Sequence, residues 1–295
     1  MYCSITPLIW LVLALTLIEH ATAGAVFIFT YGGKITRFEA TLHVPSPPTA
    51  LQGHSPDWKV QATWAGMQPT DQSCVLQNVV GNAGEELGHW SHVPSFYDGA
   101  TKPSWIEVYF EEVQPEVYPG DEITSIWALD ESSNKWLDTW SVIPVKIGAS
   151  KGEVPYSGNY TFDGTKFGTY GGGKHHFLLR PLKSKVDVNV NIQILLMIEH
   201  VGIGGSPDPG WGSGAVMFTN ILIESVSTQD WCNHENSETW HPQDVKVLDV
   251  STPFSSAVRD GKKICRIARL VTDLDGIEVV GIDFKKLWGF VEAEK

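Results

Sequence analysis

Positive charge is scarce in this chain. Lys and Arg total 21 against 34 Asp and Glu, a formal net charge of −13 over 295 residues, and no basic run interrupts that balance. A surface of this sign repels a phosphate backbone, so nucleic acid is excluded as a partner. Cysteine is scarce too: four residues, with no CxxC spacing. That leaves no thiolate frame for zinc, so neither a metal nor another cofactor is expected. The Gly-x-Ser-x-Gly elbow of serine hydrolases does not occur. Helical periodicity, internal repeats and basic tails are missing as well. There is one sustained apolar run, Leu8 to Ile18, too short to span a bilayer comfortably.

That run, followed by Ala21-Thr22-Ala23 before Gly24, reads as a secretory signal peptide over residues 1–23. The expected mature chain is therefore secreted, extracellular, free of the membrane and monomeric. Glu19 is the one charged residue among those 23, so the mature chain remains acidic at −12. Asn159-Tyr160-Thr161 is a glycosylation sequon, in keeping with that route. Removal of Cys3 leaves three cysteines, an odd count in an oxidising compartment. Cys232 and Cys265, both in the C-terminal third, are the expected disulfide. Cys74, in the apolar run Cys74-Val75-Leu76, is expected to stay a buried free thiol.

From Gly24 onward the texture is β. Apolar or alternating runs cover Ala25–Tyr31, Ile35–Val44, Trp58–Met67, Val75–Val80, Trp105–Phe110, Ile123–Leu129, Asn134–Val145 and Ala215–Val226, with Gly, Pro and Asp turns between them. Many short strands without helical patterning predict an all-β chain, an antiparallel sandwich or jelly roll. The expected division is a sandwich over 24–250 and a C-terminal β-hairpin extension over 251–295, turning at Asp275-Gly276. The Gly-rich stretch from about Gly148 to Lys185 is the least regular part and reads as an insertion. His89-x-x-His92 falls in an expected loop. That pair and His175-His176 have no completing ligands, which assigns them structural or solvent-exposed roles.

Val190 to His200 is apolar on both phases of a period-two reading, as in a central strand covered on both sides. Glu199 stands near its end. It is either a rim residue or a buried acid/base, since burial lifts a carboxyl pKa. Gln77 shares a strand face with Val75 and Val79, where a side-chain amide must find hydrogen bonds. A sugar hydrolase on a similar sandwich would instead pair Glu199 with Glu107 or Glu111, two carboxylates about 5–10 Å apart. The 12 Trp also allow a non-catalytic, lectin-like module that binds carbohydrate or a surface.

Five blocks in order resemble the fungal glutamic endopeptidases, the scytalidoglutamic and aspergilloglutamic peptidase family. They are Ala40-Thr41-Leu42-His43-Val44-Pro45; Trp64-Ala65-Gly66-Met67 with Val75-Leu76-Gln77; Pro119-Gly120-Asp121-Glu122-Ile123; Met197-Ile198-Glu199-His200; and Val216-Met217-Phe218-Thr219-Asn220. The resemblance spans roughly Ala25 to Ser227. It implies a concanavalin-like sandwich of two seven-stranded sheets and a protein or peptide substrate. Glu199 would then be general base and general acid, and Gln77 the donor to the oxyanion. Trp64 would stand beside that dyad. Gln68 occupies a position where the family has Asp, and Pro103-Ser104-Trp105 is a loose counterpart of a substrate-side segment, so Gln68 and Trp105 are the other expected substrate contacts. The family's basic propeptide has no counterpart between the signal and the first strands.

Overall fold

The computed structural model describes residues 24–31, 34–46, 59–69, 74–81, 90–98, 105–108, 115–163, 192–202, 215–226, 232, 240–243, 245–259 and 261–274. They form an all-β antiparallel sandwich. In chain order the strands are β1 (Gly24–Tyr31), β2 (Lys34–His43), β3 (Lys59–Pro69), β4 (Cys74–Gly81), β5 (Trp90–Asp98), β6 (Trp105–Val108), β7 (Glu116–Val117), β8 (Glu122–Asp130) and β9 (Lys135–Ile143). After a short helix α1 (Lys146–Lys151) come β10 (Tyr156–Asp163), β11 (Ile192–Gly202), β12 (Val216–Val226), β13 (Trp240–Gln243), β14 (Val245–Val250), β15 (Phe254–Arg259) and β16 (Lys262–Leu274).

Two eight-stranded sheets result. Sheet A runs β13-β1-β11-β3-β4-β5-β6 with β7 paired to β5. Sheet B runs β10-β9-β8-β2-β12-β16-β14 with β15 paired to β16. The family resemblance implies seven strands in each sheet; each has eight, seven along one path and an eighth paired beside it. Residues 1–23, most of the Gly-rich stretch (164–191) and Asp275-Gly276, where a turn is expected, lie outside the described residues, as do Glu111, His89, His175 and His176.

Period-two alternation explains sheet B. Along β8, Ile123, Ser125, Trp127 and Leu129 are buried; along β9, Trp136, Asp138, Trp140 and Val142 are buried, and their neighbours are more exposed. Phe38 on β2 stacks on Trp127 with ring centroids 5.1 Å apart, and Phe96 from sheet A meets Phe162 of β10 at 5.3 Å. These large rings make the layer between the sheets. Gly158 is required on β10 because an alanine Cβ there would stand 2.4 Å from Trp140 Cζ2.

The Pro119-Gly120-Asp121 turn ties three elements together. The buried Asp121 carboxylate accepts the backbone N–H of Tyr118 and of Val145, both at 2.8 Å. The backbone around it exchanges hydrogen bonds with Val44, and Gly120 supplies the positive φ of 93° that the turn needs. Cys232 and Cys265 are bonded, with Cα atoms 5.4 Å apart. Closing that loop removes chain entropy worth about 3–4 kcal/mol. Asn159 is exposed on β10, the strand that ends the path of sheet B.

Candidate functional site

The register of sheet A decides which side chains share a face. Gln77 on β4 pairs with Gly66 on β3 and Ser95 on β5, and Gly66 pairs with Leu195 on β11. Trp64 pairs with Val79 and Met197 one step along. Directly paired residues project to the same side, so positions 64, 66, 68, 75, 77, 79, 93, 95, 195, 197 and 199 lie on the face turned away from sheet B. The other phase, with Ala65, Met67, Leu76, Val80 and Phe96, belongs to the core.

Gln77 is wholly buried. Its Nε2 reaches Ser95 Oγ at a long 3.5 Å, and its Oε1 has no partner among the described residues. The indole Nε1 of Trp64, on the same face and 1% exposed, has none either. A buried polar group left unsatisfied costs about 1–3 kcal/mol. Gly66 sits between them for a steric reason. A Cβ there would come within 2.6 Å of the Leu76 carbonyl oxygen and 2.9 Å of the Trp64 ring, so the close fit of β3, β4 and Trp64 depends on glycine.

Glu199 pairs with Ala62 of β3 and Gly24 of β1. It therefore lies two strands from Gln77 and four residues further along than the residue aligned with it, Leu195. With ~4.8 Å between strands and ~3.3 Å per residue, the two Cα atoms are roughly 16 Å apart. The fold brings Gln77 and Trp64 together and puts position 199 on their face, at a distance. Gln68 falls on this face too, paired with Gln193. Trp105 pairs with Asp98 and Glu107 with Phe96, which places both positions on the opposite face. Cys74 starts β4, opposite Asp98.

Three buried groups escaped the sequence reading. His92 is not in a loop but on β5, wholly buried, with Nδ1 3.2 Å from the Tyr156 hydroxyl. Burial pushes its pKa down to about 3. Asn78, beside Gln77 but on the core phase, donates from Nδ2 to Asp138 Oδ1 at 3.2 Å. Burial pushes the Asp138 carboxyl up to about 8, opposed by the Asn78 amide and by the nearby indole N–H of Trp127. The signal was available in Trp136-Leu137-Asp138-Thr139-Trp140, where the acid occupies the phase of the tryptophans. Among the described residues no group of three or more His, Cys, Asp or Glu could hold a metal ion, and no helix is long and apolar enough to cross a membrane.

No protein-family model matches the chain, and no curated protein does. Among solved structures, the crystal structure of scytalido-glutamic peptidase with a peptide-based transition-state analog matches 83% of this chain and 98% of its own, at 16% identity and a TM-score of 0.39. This likeness is distant and does not place the chain in that peptidase family.

Proposed function

We propose that the outer face of sheet A is a hydrolytic site for peptide bonds, with Gln77 as oxyanion donor and Glu199 as the proton-transfer group. The observation that carries this reading is the pair of buried polar atoms without a partner among the described residues, Gln77 Oε1 and Trp64 Nε1, on the face that also holds position 199. A polar group kept buried and unsatisfied is a cost that selection tolerates where a ligand completes it. The separation suits a shared substrate rather than direct contact. In this reading a carbonyl group and one water lie between the two positions. Glu199 takes a proton from that water as it attacks the carbonyl carbon. The Gln77 amide donates to the oxygen as it gains charge, and Glu199 returns the proton to the departing amine. Atoms balance with water as the only co-reactant.

The glycosidase alternative loses Glu107 as partner, because the register puts that position on the other face.

The test uses chain beginning at Gly24, incubated with casein or haemoglobin from roughly pH 2 to pH 7. Cleavage below neutrality that disappears in Glu199→Gln is expected. No cleavage at any pH, or cleavage that persists in Glu199→Gln, contradicts the proposal.

A further inference from the structure

We propose that Asp138 is held as the neutral acid and forms with Asn78 a two-hydrogen-bond acid–amide latch, which ties β4 of sheet A to β9 of sheet B and opens when the acid ionises. The latch lies on the opposite side of β4 from the candidate site, and the inference stands independently of the hydrolytic reading.

Half of the latch is present. Asn78 Nδ2 donates to Asp138 Oδ1 at 3.2 Å across the sandwich. The remaining two atoms, Asn78 Oδ1 and Asp138 Oδ2, are buried and have no partner among the described residues. Asn78 Oδ1 lacks a donor among the described residues, and a single proton on Asp138 Oδ2 would supply one and close a second hydrogen bond between the two side chains. A carboxylic acid and a primary amide are complementary for this purpose, one N–H···O and one O–H···O closing a ring. Ionisation removes the bridging proton and strands a charge in the core, where no cation among the described residues pairs with it.

The surroundings keep the acid neutral. From β4 the facing residues beside Asn78 are Leu76 and Val80. From β5 comes His92, which burial keeps uncharged down to about pH 3. From β8, Trp127 and Ser125 face the same space. From β10, Tyr160 pairs directly with Asp138, and Tyr156 carries a pKa raised by burial and by the carboxylates of Asp121 and Glu153. No Lys or Arg among the described residues faces this layer. Burial accordingly lifts Asp138 to about 8 from an ordinary value of 3.8.

The experiment compares wild type with Asp138→Asn by chemical unfolding from roughly pH 4 to pH 9. Asparagine keeps the shape and cannot ionise, and contributions from other groups cancel in the ratio of the two folding constants. Because the folded state holds a proton that the unfolded chain has lost, the ratio of wild-type to variant folding constants should fall about tenfold per pH unit between ~4 and ~8, then level off. A ratio independent of pH over that range overturns the proposal. If Asp138→Asn does not fold, carbon-detected NMR of the wild-type Asp carboxyls decides. An Asp138 titration near pH 8 that also moves the Asn78 side-chain amide supports the latch. An ordinary Asp titration, or an Asn78 amide that does not respond, overturns it.

Discussion

Gln77→Leu should yield a protein more stable than the wild type by about 1–3 kcal/mol and without hydrolytic activity. Leucine has nearly the volume of glutamine, so no cavity opens, and the substitution removes the buried Oε1 that has no partner among the described residues together with its desolvation cost. The amide's hydrogen bond to Ser95 Oγ, at 3.5 Å, is too long to offset much of that gain. Its neighbours on the face, Val75, Val79 and Val93, are apolar and wholly or nearly buried, and they accept an aliphatic side chain readily. Stability purchased at the expense of function is the mark of a residue kept for chemistry. Urea unfolding of both proteins at one pH gives the answer. A loss of 1 kcal/mol or more would identify Gln77 as an ordinary satisfied core amide, and the hydrolytic reading would lose its principal support.

The stability of the wild type should pass through a maximum near pH 6.5, and the signs follow from three buried groups. His43 and His92 have folded pKa values lowered by burial from 6.5 to about 4 and about 3. Between pH ~4 and ~6.5 the unfolded chain therefore binds two protons there that the folded chain does not. Asp138, raised to about 8, works in the other direction: the folded chain holds one proton that the unfolded chain has released. The net is one proton taken up on unfolding, so stability climbs by ~1.4 kcal/mol per pH unit up to ~6.5. Above that point the histidines are neutral in both states and Asp138 acts alone. Stability then falls at the same rate until about pH 8, a loss of roughly 2 kcal/mol. Denaturant midpoints from pH 4.5 to 9 trace the curve. A profile that rises steadily through pH 8 would mean that Asp138 is ionised in the native protein.

Most strands were legible in the sequence because each announces itself locally. β2, β4, β8 and β12 alternate or run apolar between Gly and Pro turns. The strands that were not legible lack such a signal. β5 reads Trp90-Ser91-His92-Val93-Pro94-Ser95-Phe96, with a proline and small polar residues on both phases, and it becomes a strand because β4 and β6 pair with it. β10 lies within a Gly- and Tyr-rich stretch; its inward Tyr156, Tyr160 and Phe162 pack on a core assembled from distant elements. Partner choice is likewise non-local: that β16 inserts between β12 and β14 depends on long-range register, not on any motif.

Gln77 was legible as an amide in an apolar phase, and its burial and orphaned oxygen agree with that description. Its placement beside Trp64 follows from the Gly66 register. The four-residue offset to Glu199 was not legible, since period-two patterning specifies a face but says nothing of position along a neighbouring strand. Asn78 and Asp138 show the converse. Each looks like an ordinary polar residue until the two sheets are superposed, and only then does one complete the other.

The central claim is that Gln77 and Glu199 act on one tetrahedral centre. The direct measurement is the affinity of a peptide whose scissile carbonyl is replaced by a tetrahedral alcohol, against the parent peptide, in wild type, Gln77→Ala and Glu199→Gln. The account predicts that wild type prefers the tetrahedral analogue by about a hundredfold or more, and that either substitution alone removes most of that preference. Equal preference in all three proteins, or none in the wild type, would contradict it.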